Sequence, residues 1–258
     1  MEHHDKVDRQ FGSRAQAYLE SAVHARGQDL QHLAALAAVL PAGARVLDMG
    51  CGAGHASFAV APHAVEVVAY DLSRDMLAVV RDAAAQRGLS SVRTEQGPAE
   101  HLPFEAGVFD LVVSRYSAHH WSDPAAALRE AARVIKQRGC LCFIDVVGPQ
   151  GPNAALLDTH LQALELLRDT SHVRDYSPAE WQAMLQRAGF ELMAEQTWPL
   201  EIDFASWVAR MRTPPVLEAA IRHLLADAPT EVQRRYNIRA TLDFTLESAM
   251  FTARACGK

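Results

Sequence analysis

The chain contains 258 residues, 49% of them hydrophobic, and carries a formal net charge of −6 at pH 7. This length and composition can bury one main core, and the acidic balance argues against nucleic acid or an anionic membrane surface as a partner. Because no stretch reaches about 18 consecutive uncharged apolar residues and no targeting segment follows Met1, we expect a cytoplasmic protein without membrane insertion, a monomer or homodimer, that binds a small molecule.

The cysteine and histidine positions do not indicate a metal site. The four cysteines, Cys51, Cys140, Cys142 and Cys256, lack the paired spacing of a zinc site, and we expect reduced thiols. The histidines are scattered, and the two in the initial segment "EHH" are predicted to belong to a mobile end. We therefore expect no bound metal.

The first predicted elements are helical. Apolar residues recur at spacings of three and four from Ala15 to Leu40, among them Tyr18, Leu19 and Val23, which is the period of helices packed on one face. Pro41 to Gly43 is predicted to end this region.

Strands and helices alternate from residue 45 to residue 147. Helical patterns run from Gly54 to Val60, from Arg74 to Arg87, and from Pro124, with Asp123 as the N-cap, to just before Gly139. The five predicted strands are Arg45–Met49, Val65–Tyr70, Val92–Glu95, Val108–Ser114 and Cys140–Val147. The fourth is apolar almost throughout, which is typical of a parallel strand covered on both faces.

The pattern changes beyond Gly148. The segment from about Gly148 to about Glu180 is predicted to be an insertion over the site, with a helix over Ala154–Arg168. A cap at Ser177 and Pro178 predicts a helix that runs to Gly189. The last predicted elements are a strand over Glu191–Asp203, two short helices in Ala205–Ala228 broken at Pro214 and Pro215, and a strand over Asp243–Arg254.

Together these elements predict an α/β fold with a doubly wound, mostly parallel, seven-stranded sheet of the Rossmann-like type. Such a sheet binds its ligand outside the carboxyl ends of its strands. The residues that follow the first and second strands are therefore the first candidates for a site.

The sequence "VLDMGCGAGH" places glycines at 50, 52 and 54 directly after the first strand. Such a turn lets a ligand lie against bare backbone. It departs from the dinucleotide pattern G-x-G-x-x-G, because the third glycine is at 54 and His55 follows at the helix start, where a diphosphate would need room. Asp48 adds a carboxylate that a positive group would favour, so the turn predicts a nucleoside with a cationic tail.

Asp71 is a second nucleoside signal. It ends the second strand, 21 positions after Gly50. An acidic residue there can accept hydrogen bonds from both hydroxyls of a ribose. Glycine turns and strand-end acids also occur as plain structure, so neither signal suffices alone.

Four segments carry a family resemblance: "VLDMGCGAGH", "VVAYDLSRDML", "AEHLPFEAGVFDLVVSRYSAHHWSDPAAALREAARVIKQRG" and "CLCFIDVV". In order and spacing, from about Val46 to Val147, they resemble the motifs of class I S-adenosylmethionine-dependent methyltransferases. The type 11 branch, which contains ubiquinone and menaquinone C-methyltransferases, is the most similar. The resemblance implies S-adenosylmethionine as the cofactor and leaves the substrate open.

The resemblance also implies how the cofactor is held. Asp48 lies near the ammonium group and Asp71 on the ribose, and the turn beneath the methionine part is formed by Gly50, Cys51, Gly52 and Gly54. Leu72 and Met76 lie against the adenine, Ala99 offers backbone to its edge, and Ser114 and Arg115 line the cofactor. The segment "FGSRAQAYLE", with Phe11 and Tyr18, resembles the family's N-terminal helix that closes over the cofactor.

The resemblance leads to three predicted parts of the chain. Residues 1–40 form an N-terminal helical lid, residues 41–148 form the Rossmann-like core that binds the cofactor, and residues 149–258 form a substrate cap and the C-terminal strands that complete the sheet.

The sequence departs from the family's pattern at two places. The family's usual G-D-A-E is Gly97-Pro98-Ala99-Glu100 here, which loses an aspartate hydrogen bond to the adenine worth about 1 kcal/mol, and "KQRG" replaces the usual K-P-G-G as a turn variant.

Methyl transfer from a sulfonium needs a positioned acceptor and the exclusion of water, and it needs a base only if the acceptor loses a proton. The segment "SRYSAHHWSD" after the fourth strand places Tyr116, His119, His120 and Trp121 at the mouth of the site, and the first three are candidate catalytic residues. We expect His119 or His120 to orient or deprotonate the acceptor. A histidine that packs against or caps the following helix is an equally good interpretation.

Arginines near aromatic residues favour a planar or anionic acceptor such as a phenol, quinol or carboxylate. This group consists of Arg168, His172, Arg174 and Tyr176 in the predicted insertion and Trp207, Arg210 and Arg212 in "SWVARMRTPP". A solvated helix face explains them equally well.

Three other functions are alternatives to a small-molecule methyltransferase. Amino-methylating nucleic-acid enzymes commonly have Asp or Asn, two prolines and an aromatic residue after the fourth strand, where this chain has Ser114-Arg115-Tyr116-Ser117, and the net charge of −6 also disfavours nucleic acid. A carboxyl O-methyltransferase for a substrate bound to an acyl carrier protein and a non-catalytic S-adenosylmethionine-binding protein both stay open.

Overall fold

The structure, a computed structural model, describes residues 2–12, 15–20 and 27–256. Within them, seven strands form one sheet: β1 (Arg45–Met49), β2 (Glu66–Asp71), β3 (Val92–Gln96), β4 (Phe109–Arg115), β5 (Ile135–Val146), β6 (Phe190–Ile202) and β7 (Phe244–Ala255). Their order is β3-β2-β1-β4-β5-β7-β6, and all neighbours are parallel except that β7 runs antiparallel to both β5 and β6. The predicted fold class is confirmed.

Helices cover both faces of the sheet. They are α1 (His3–Gly12), α2 (Ala15–Glu20), α3 (Gln28–Ala38), α4 (His55–Val60), α5 (Arg74–Gln86), α6 (Pro124–Val134), α7 (Ala154–Arg168), α8 (Pro178–Arg187), α9 (Phe204–Met211), α10 (Pro215–Ala226) and α11 (Thr230–Arg235). In the described parts of the chain, no helix is both long enough and apolar enough to cross a membrane.

The central strands are buried on both faces because successive side chains of a strand point to opposite sides. In β1, Val46 packs in one cluster with Leu33 of α3 and Val60 of α4. Its neighbour Leu47 packs in another cluster, which contains Leu128 of α6 and Trp181 of α8. Two separate cores, one on each face, therefore fix the sheet between its helices.

A third cluster lies beyond the carboxyl end of β5. There, side chains of α7, α9, α10 and α11 pack around Phe244 and Leu246 of β7. Since β1 lies between β2 and β4, the chain leaves β1 and β4 toward opposite faces, and a crevice opens outside the strands' carboxyl ends. The third cluster stands beside that crevice.

Two predicted helix starts are confirmed. Asp123 is the N-cap of α6, and its carboxylate accepts a hydrogen bond from the backbone N–H of Ala126 at 2.8 Å. Ser177 and Glu180 form a reciprocal capping box at the start of α8. In both cases the side-chain oxygen satisfies a backbone N–H that a helix start leaves without an intrahelical partner.

The predicted end of α6 just before Gly139 is wrong. The helix ends at Val134, and β5 begins at Ile135 rather than at Cys140. Both junction residues are β-branched and prefer extended backbone, and the backbone N–H of Val108 donates to the carbonyl of Val134 at 2.7 Å. Sheet pairing therefore starts where the helical pattern seemed to continue.

The predicted mobile N-terminal end is also wrong, because His3 and His4 belong to α1. His3 Nε2 donates to the carbonyl of His120 at 2.8 Å, and His4 Nε2 lies 3.6 Å from a carboxylate oxygen of Glu100. These contacts attach α1 to the crevice side of the sheet. Val23 of the predicted helical region, like residues 13 and 14 of "FGSRAQAYLE", lies outside the described residues.

Candidate active site

A cavity of about 1030 Å³ opens at the carboxyl ends of β1, β2 and β4; we call it the outer cavity. Twelve of the residues that the sequence predicts for the site lie on its wall: Tyr18, Asp48, Gly50, Cys51, Gly52, Asp71, Leu72, Met76, Ala99, Arg115, Tyr116 and His120.

Three predicted site residues lie elsewhere. Gly54 is the N-cap of α4 with a φ of +85°, and a Cβ there would lie 2.9 Å from the ring of Phe58. Ser114 is fully buried within β4. His119 lines a neighbouring cavity described below.

The glycine turn is attached to β2 through its backbone. The N–H groups of Gly50 and Cys51 both donate to the carbonyl of Tyr70, at 2.8 and 3.0 Å. The N–H of Gly52 donates to Asp71 Oδ2 at 2.8 Å. Asp71 therefore holds the turn in place in addition to lining the cavity.

Replacement of Gly50 by alanine is expected to destabilise the ligand-free protein by roughly 2–4 kcal/mol, against roughly 1 kcal/mol for Gly52→Ala. Both glycines have positive φ, +73° and +51°, but a Cβ at Gly50 would lie 1.9 Å from the hydroxyl oxygen of Ser117, whereas a Cβ at Gly52 would have no atom within 4 Å. Urea unfolding measures both values. Equal losses of stability in the two variants would contradict the conclusion that Ser117 leaves no room for a side chain at position 50.

Asp48 presents a buried carboxylate to the outer cavity. Its Oδ2 accepts hydrogen bonds from the backbone N–H and the hydroxyl of Ser57 at 2.8 and 2.6 Å. Its Oδ1 has no hydrogen-bond partner among the described residues. Burial raises the pKa of Asp48 to about 6, although the two bonds from Ser57 lower it.

Arg115, at the end of β4, presents the opposite charge. Its Nε donates to Asp29, and its guanidinium lies over the ring of Tyr116 at 4.7 Å. Its Nη2 is buried without a hydrogen-bond partner among the described residues. An acceptor oxygen on Asp48 and a donor nitrogen on Arg115 fit the ammonium and carboxylate groups of an amino acid, such as the methionine part of S-adenosylmethionine.

The other end of the outer cavity suits a nucleoside. Asp71 Oδ1 accepts from the backbone N–H of Ser73 at 2.9 Å, and each carboxylate oxygen keeps a further lone pair for a ribose hydroxyl. Burial raises the pKa of Asp71, an effect that the backbone hydrogen bonds reduce. Leu72, Met76 and Ala99 offer apolar surface nearby.

The sequence interpretation did not place several wall residues in the site. They are His4, Val7, Ala53, Ala56, Tyr70, Ser73, Glu100 and Ser117. The sequence did contain a signal for Glu100, because it is an acidic residue in the same motif as Ala99, which was predicted to contact the adenine. His4 and Val7 had none, since only the docking of α1 brings them to the cavity.

A second cavity of about 670 Å³, the inner cavity, adjoins the outer one. Its wall consists of Phe11, Tyr18, Tyr116, His119, His120, Val146, Glu165, Arg168, Asp169, Asp175, Leu200, Ile202, Trp207, Arg210 and Leu246. Four of these, Phe11, Tyr18, Tyr116 and His120, also line the outer cavity. The described His, Cys, Asp and Glu side chains include no group of three that could hold a metal ion.

The two candidate histidines have different surroundings. His119 Nδ1 lies 2.6 Å from Asp145 Oδ1; burial lowers the pKa of His119, but the charge and hydrogen bond of Asp145 raise it to about 9 overall. His120 Nδ1 donates to the carbonyl of Ser171 at 3.1 Å, and burial together with the charge of His119 lowers its pKa to about 4. Near neutral pH, His119 is the protonated member of the pair.

The predicted cap residues divide into two groups. Arg168, Trp207 and Arg210 line the inner cavity. Arg168 is already engaged: its Nε donates to the carbonyl of Trp207 at 3.1 Å, and its guanidinium lies over that ring at 4.8 Å. His172, Arg174, Tyr176 and Arg212 line neither of the two cavities.

Comparison with known proteins gives the family. The model of the family described as "Methyltransferase domain" matches residues 47–143. The "Uncharacterized protein YafE" of Escherichia coli (strain K12) is 45% identical over 204 residues, which cover 79% of this chain and 97% of that protein. The "Uncharacterized methyltransferase YcgJ" of Bacillus subtilis (strain 168) is 39% identical over 228 residues, which cover 88% of each chain.

The crystal structure of the YcgJ protein has the same fold, with a TM-score of 0.84 and 34% identity over 90% of this chain and 99% of that one. The "Ubiquinone biosynthesis O-methyltransferase" of Xanthomonas axonopodis pv. citri (strain 306) is 34% identical over 155 residues, which cover 59% of this chain and 64% of that protein. The sheet, the glycine turn and these relatives agree: the chain belongs to the S-adenosylmethionine-dependent methyltransferases of the type 11 family.

Proposed function

We propose that this methyltransferase binds S-adenosylmethionine in the outer cavity and methylates a small, planar acceptor in the inner cavity. The observation that carries the proposal is the wall shared by the two cavities, formed by Phe11, Tyr18, Tyr116 and His120. Bound S-adenosylmethionine supplies an electrophilic methyl group. The chain's own side chains position the acceptor and exclude water, which is what an in-line displacement needs from a protein.

The cofactor contacts follow from the geometry of the outer cavity. In this proposal Asp48 Oδ1 binds the ammonium group, Arg115 Nη2 the carboxylate and Asp71 the ribose hydroxyls. Leu72 and Met76 pack against the adenine. Pro98 replaces the aspartate that is usual in the family and has no carboxylate for the adenine amino group. The affinity for S-adenosylmethionine is therefore lower than with aspartate at this position, by about the free energy of one hydrogen bond.

Helices α1 and α2 serve as the lid in this proposal. Phe11 and Tyr18 lie on the walls of both cavities. The hydroxyl of Tyr18 donates to the sulfur of Met211 at 3.1 Å, and His55 Nε2 donates to the carbonyl of Tyr18 at 3.1 Å. The lid is thus attached to both the turn helix α4 and the cap helix α9.

Filling the inner cavity is expected to block methyl transfer without affecting the cofactor. Leu200 of β6 lines the inner cavity, and Leu200→Trp is expected to lower transfer at least about tenfold by displacing the acceptor. The assay follows label from methyl-labelled S-adenosylmethionine into phenols, quinols and aromatic carboxylic acids. Affinity for S-adenosylhomocysteine, measured by calorimetry, is expected to stay within about twofold.

Leu192→Trp is the matched control, because Leu192 lies on the same strand but is exposed and lines neither cavity. Transfer that survives in Leu200→Trp would place the acceptor elsewhere.

The same assay addresses an acceptor bound to an acyl carrier protein, since recognition of an acidic carrier would weaken steeply with added salt. Transfer to free small molecules without such salt dependence supports the proposal.

A further inference from the structure

One histidine of the inner cavity has its ring fixed by a buried carboxylate. Asp145, near the end of β5, is 0% exposed, and its Oδ1 lies 2.6 Å from His119 Nδ1. Because a carboxylate only accepts hydrogen bonds, Nδ1 carries a proton and donates it. Nε2, across the ring, is therefore the nitrogen that can gain or lose a proton. We name this pair the His119–Asp145 dyad.

The backbone around the dyad is fixed as well. The N–H of His119 donates to Asp145 Oδ2 at 3.1 Å, and the carbonyl of His119 accepts from the N–H groups of Val173 and Arg174 at 2.8 and 3.2 Å. Asp145 Oδ1 also accepts from the N–H of Val146 at 2.8 Å. The direction of the imidazole is thus set before any ligand binds, which favours catalysis.

The neighbouring histidines lack this arrangement. His120 Nε2 lies 3.9 Å from Asp169, and His172 Nε2 lies 3.8 Å from Asp175, both too far for a hydrogen bond. His172 Nε2 lies 2.9 Å from Gln162 Oε1 instead. Within this group of described histidines, His119 is the one with a direct carboxylate bond.

Part of the wall of the inner cavity is apolar and suits a flat apolar body. Its wall includes the apolar side chains of Val146, Leu200, Ile202, Trp207 and Leu246, together with the charged side chains of Glu165, Arg168, Asp169, Asp175 and Arg210. The apolar side chains come from β5, β6, β7 and α9, whereas His119 follows β4. An aromatic ring packed on these apolar side chains can direct one polar substituent toward the histidine.

We propose that the methyl acceptor is a phenol whose hydroxyl faces His119 Nε2, that His119 accepts the phenol proton, and that Asp145 is the positioning residue for His119. This inference rests on the proposed function. A phenol keeps its proton near neutral pH and benefits from a positioned base. A carboxylate is already ionised there and has no proton to give up, so its methylation would not use the dyad as a base.

An oxygen lone pair of the phenol forms the bond to the methyl carbon, and the electron pair of the breaking sulfur–methyl bond stays on sulfur, which gives S-adenosylhomocysteine. The O–H bonding pair stays on oxygen while the proton passes to His119 Nε2. The imidazolium then releases that proton to solvent.

The charge of the dyad sets the pH dependence. Burial lowers the pKa of His119 and Asp145 raises it, to about 9 overall. In the reactive state, Nε2 and the phenol oxygen share a single proton. At lower pH both are protonated, as imidazolium and neutral phenol, and one proton must first be lost. The rate of methyl transfer is therefore expected to rise with pH up to about 9. Other titratable groups around His119 include His120, Glu165 on α7, and His172 and Asp175 in the following loop. Arg168, Asp169 and Arg210 line the same cavity.

The test uses 4-nitrophenol, whose anion absorbs visible light. It is titrated into the full chain saturated with S-adenosylhomocysteine, at a pH below the probe's own pKa. The bound probe is expected to contain a larger fraction of anion than the free probe, because the dyad holds the proton. Asp145→Asn is expected to lower that fraction roughly tenfold, since burial then lowers the pKa of His119 without the opposing charge and hydrogen bond of Asp145, and His119→Gln is expected to abolish the effect.

His172→Gln is the matched control, because His172 belongs to the same group of histidines but lines neither cavity; it is expected to keep the anion signal. A histidine NMR titration gives a second readout, with the pKa of His119 falling below its ordinary value in Asp145→Asn. Unchanged anion in Asp145→Asn, no binding of 4-nitrophenol, or a preference for 4-nitrobenzoate would overturn the inference. Failure of S-adenosylhomocysteine to bind at all would instead overturn the proposed function beneath it.

Discussion

Replacement of Asp71 by alanine is expected to lower the affinity for S-adenosylhomocysteine by at least about 100-fold. In the proposed complex the carboxylate accepts hydrogen bonds from both ribose hydroxyls, and each charge-assisted bond contributes roughly 1.5–3 kcal/mol. The substitution also removes the acceptor for the N–H of Gly52, at 2.8 Å, and so loosens the glycine turn. Calorimetric titration measures the loss.

The control for Asp71 lies at the other end of the same strand. Glu66 begins β2 and pairs with Arg45 and Arg93 at 2.6 Å each, away from the outer cavity. Glu66→Gln is therefore expected to bind the ligand as the unchanged protein does. If Asp71→Ala binds equally well while remaining folded, the ribose is not bound by Asp71.

Replacement of Asp48 by asparagine is expected to have opposite effects on binding and on stability. Affinity for S-adenosylhomocysteine is expected to fall roughly 10–100-fold, because the ammonium group loses its charged partner. Affinity for adenosine, which has no amino acid part, is expected to change by less than about twofold. Binding of adenosine that weakens as much as binding of S-adenosylhomocysteine would contradict the placement of the ammonium group at Asp48.

The stability effect follows from the pKa of Asp48, which burial raises from 3.8 to about 6. A carboxyl whose pKa is higher in the folded than in the unfolded state destabilises the fold as the pH rises above the unfolded value, and the full cost is present above the folded value. This difference in pKa corresponds to a destabilisation of roughly 3 kcal/mol, which Asp48→Asn removes. The net gain in stability is smaller than this, because asparagine accepts weaker hydrogen bonds from Ser57 than the carboxylate does.

Thermal unfolding of the ligand-free Asp48→Asn protein checks this sign. At about pH 7.5 its Tm is expected to rise by a few degrees, and at about pH 4 the difference is expected to disappear. If the Tm of Asp48→Asn at about pH 7.5 is lower than that of the unchanged protein, the charge of Asp48 stabilises the ligand-free fold, and the expected cost of keeping a carboxylate there for the ammonium group does not exist.

The sheet was predictable from sequence because its signals are local. The apolar run "VFDLVVS", the glycines after β1 and the N-cap at Asp123 each act within a few residues of where they occur. The same holds for the break at Pro214 and Pro215 that separates α9 from α10. Short-range rules sufficed for these elements.

The errors arose where distant contacts decide the structure. Helix α1 is placed by His120 and Glu100, more than ninety residues away, and no periodic signal in "EHH" reports such docking. The start of β5 at Ile135 depends on pairing with the segment before β4. Strong helix-forming residues upstream extended the predicted helix past its true end at Val134.

Asp145 shows what sequence reasoning missed in the site itself. It is the polar residue inside the apolar strand "CLCFIDVV", and a buried acid in a central strand calls for a partner. That signal was present, but the identity of the partner was not, because His119 lies 26 positions earlier, after the neighbouring strand. Parallel pairing of β4 with β5 brings the two together.

A crystal structure of the full chain with S-adenosylhomocysteine tests the central claim most directly. The expected result places the ligand in the outer cavity, with its ribose hydroxyls on Asp71, its ammonium group within hydrogen-bond distance of Asp48 Oδ1, and its sulfur directed toward the wall that the two cavities share. A ligand in the inner cavity, or one whose ribose lies on Asp48, would contradict it.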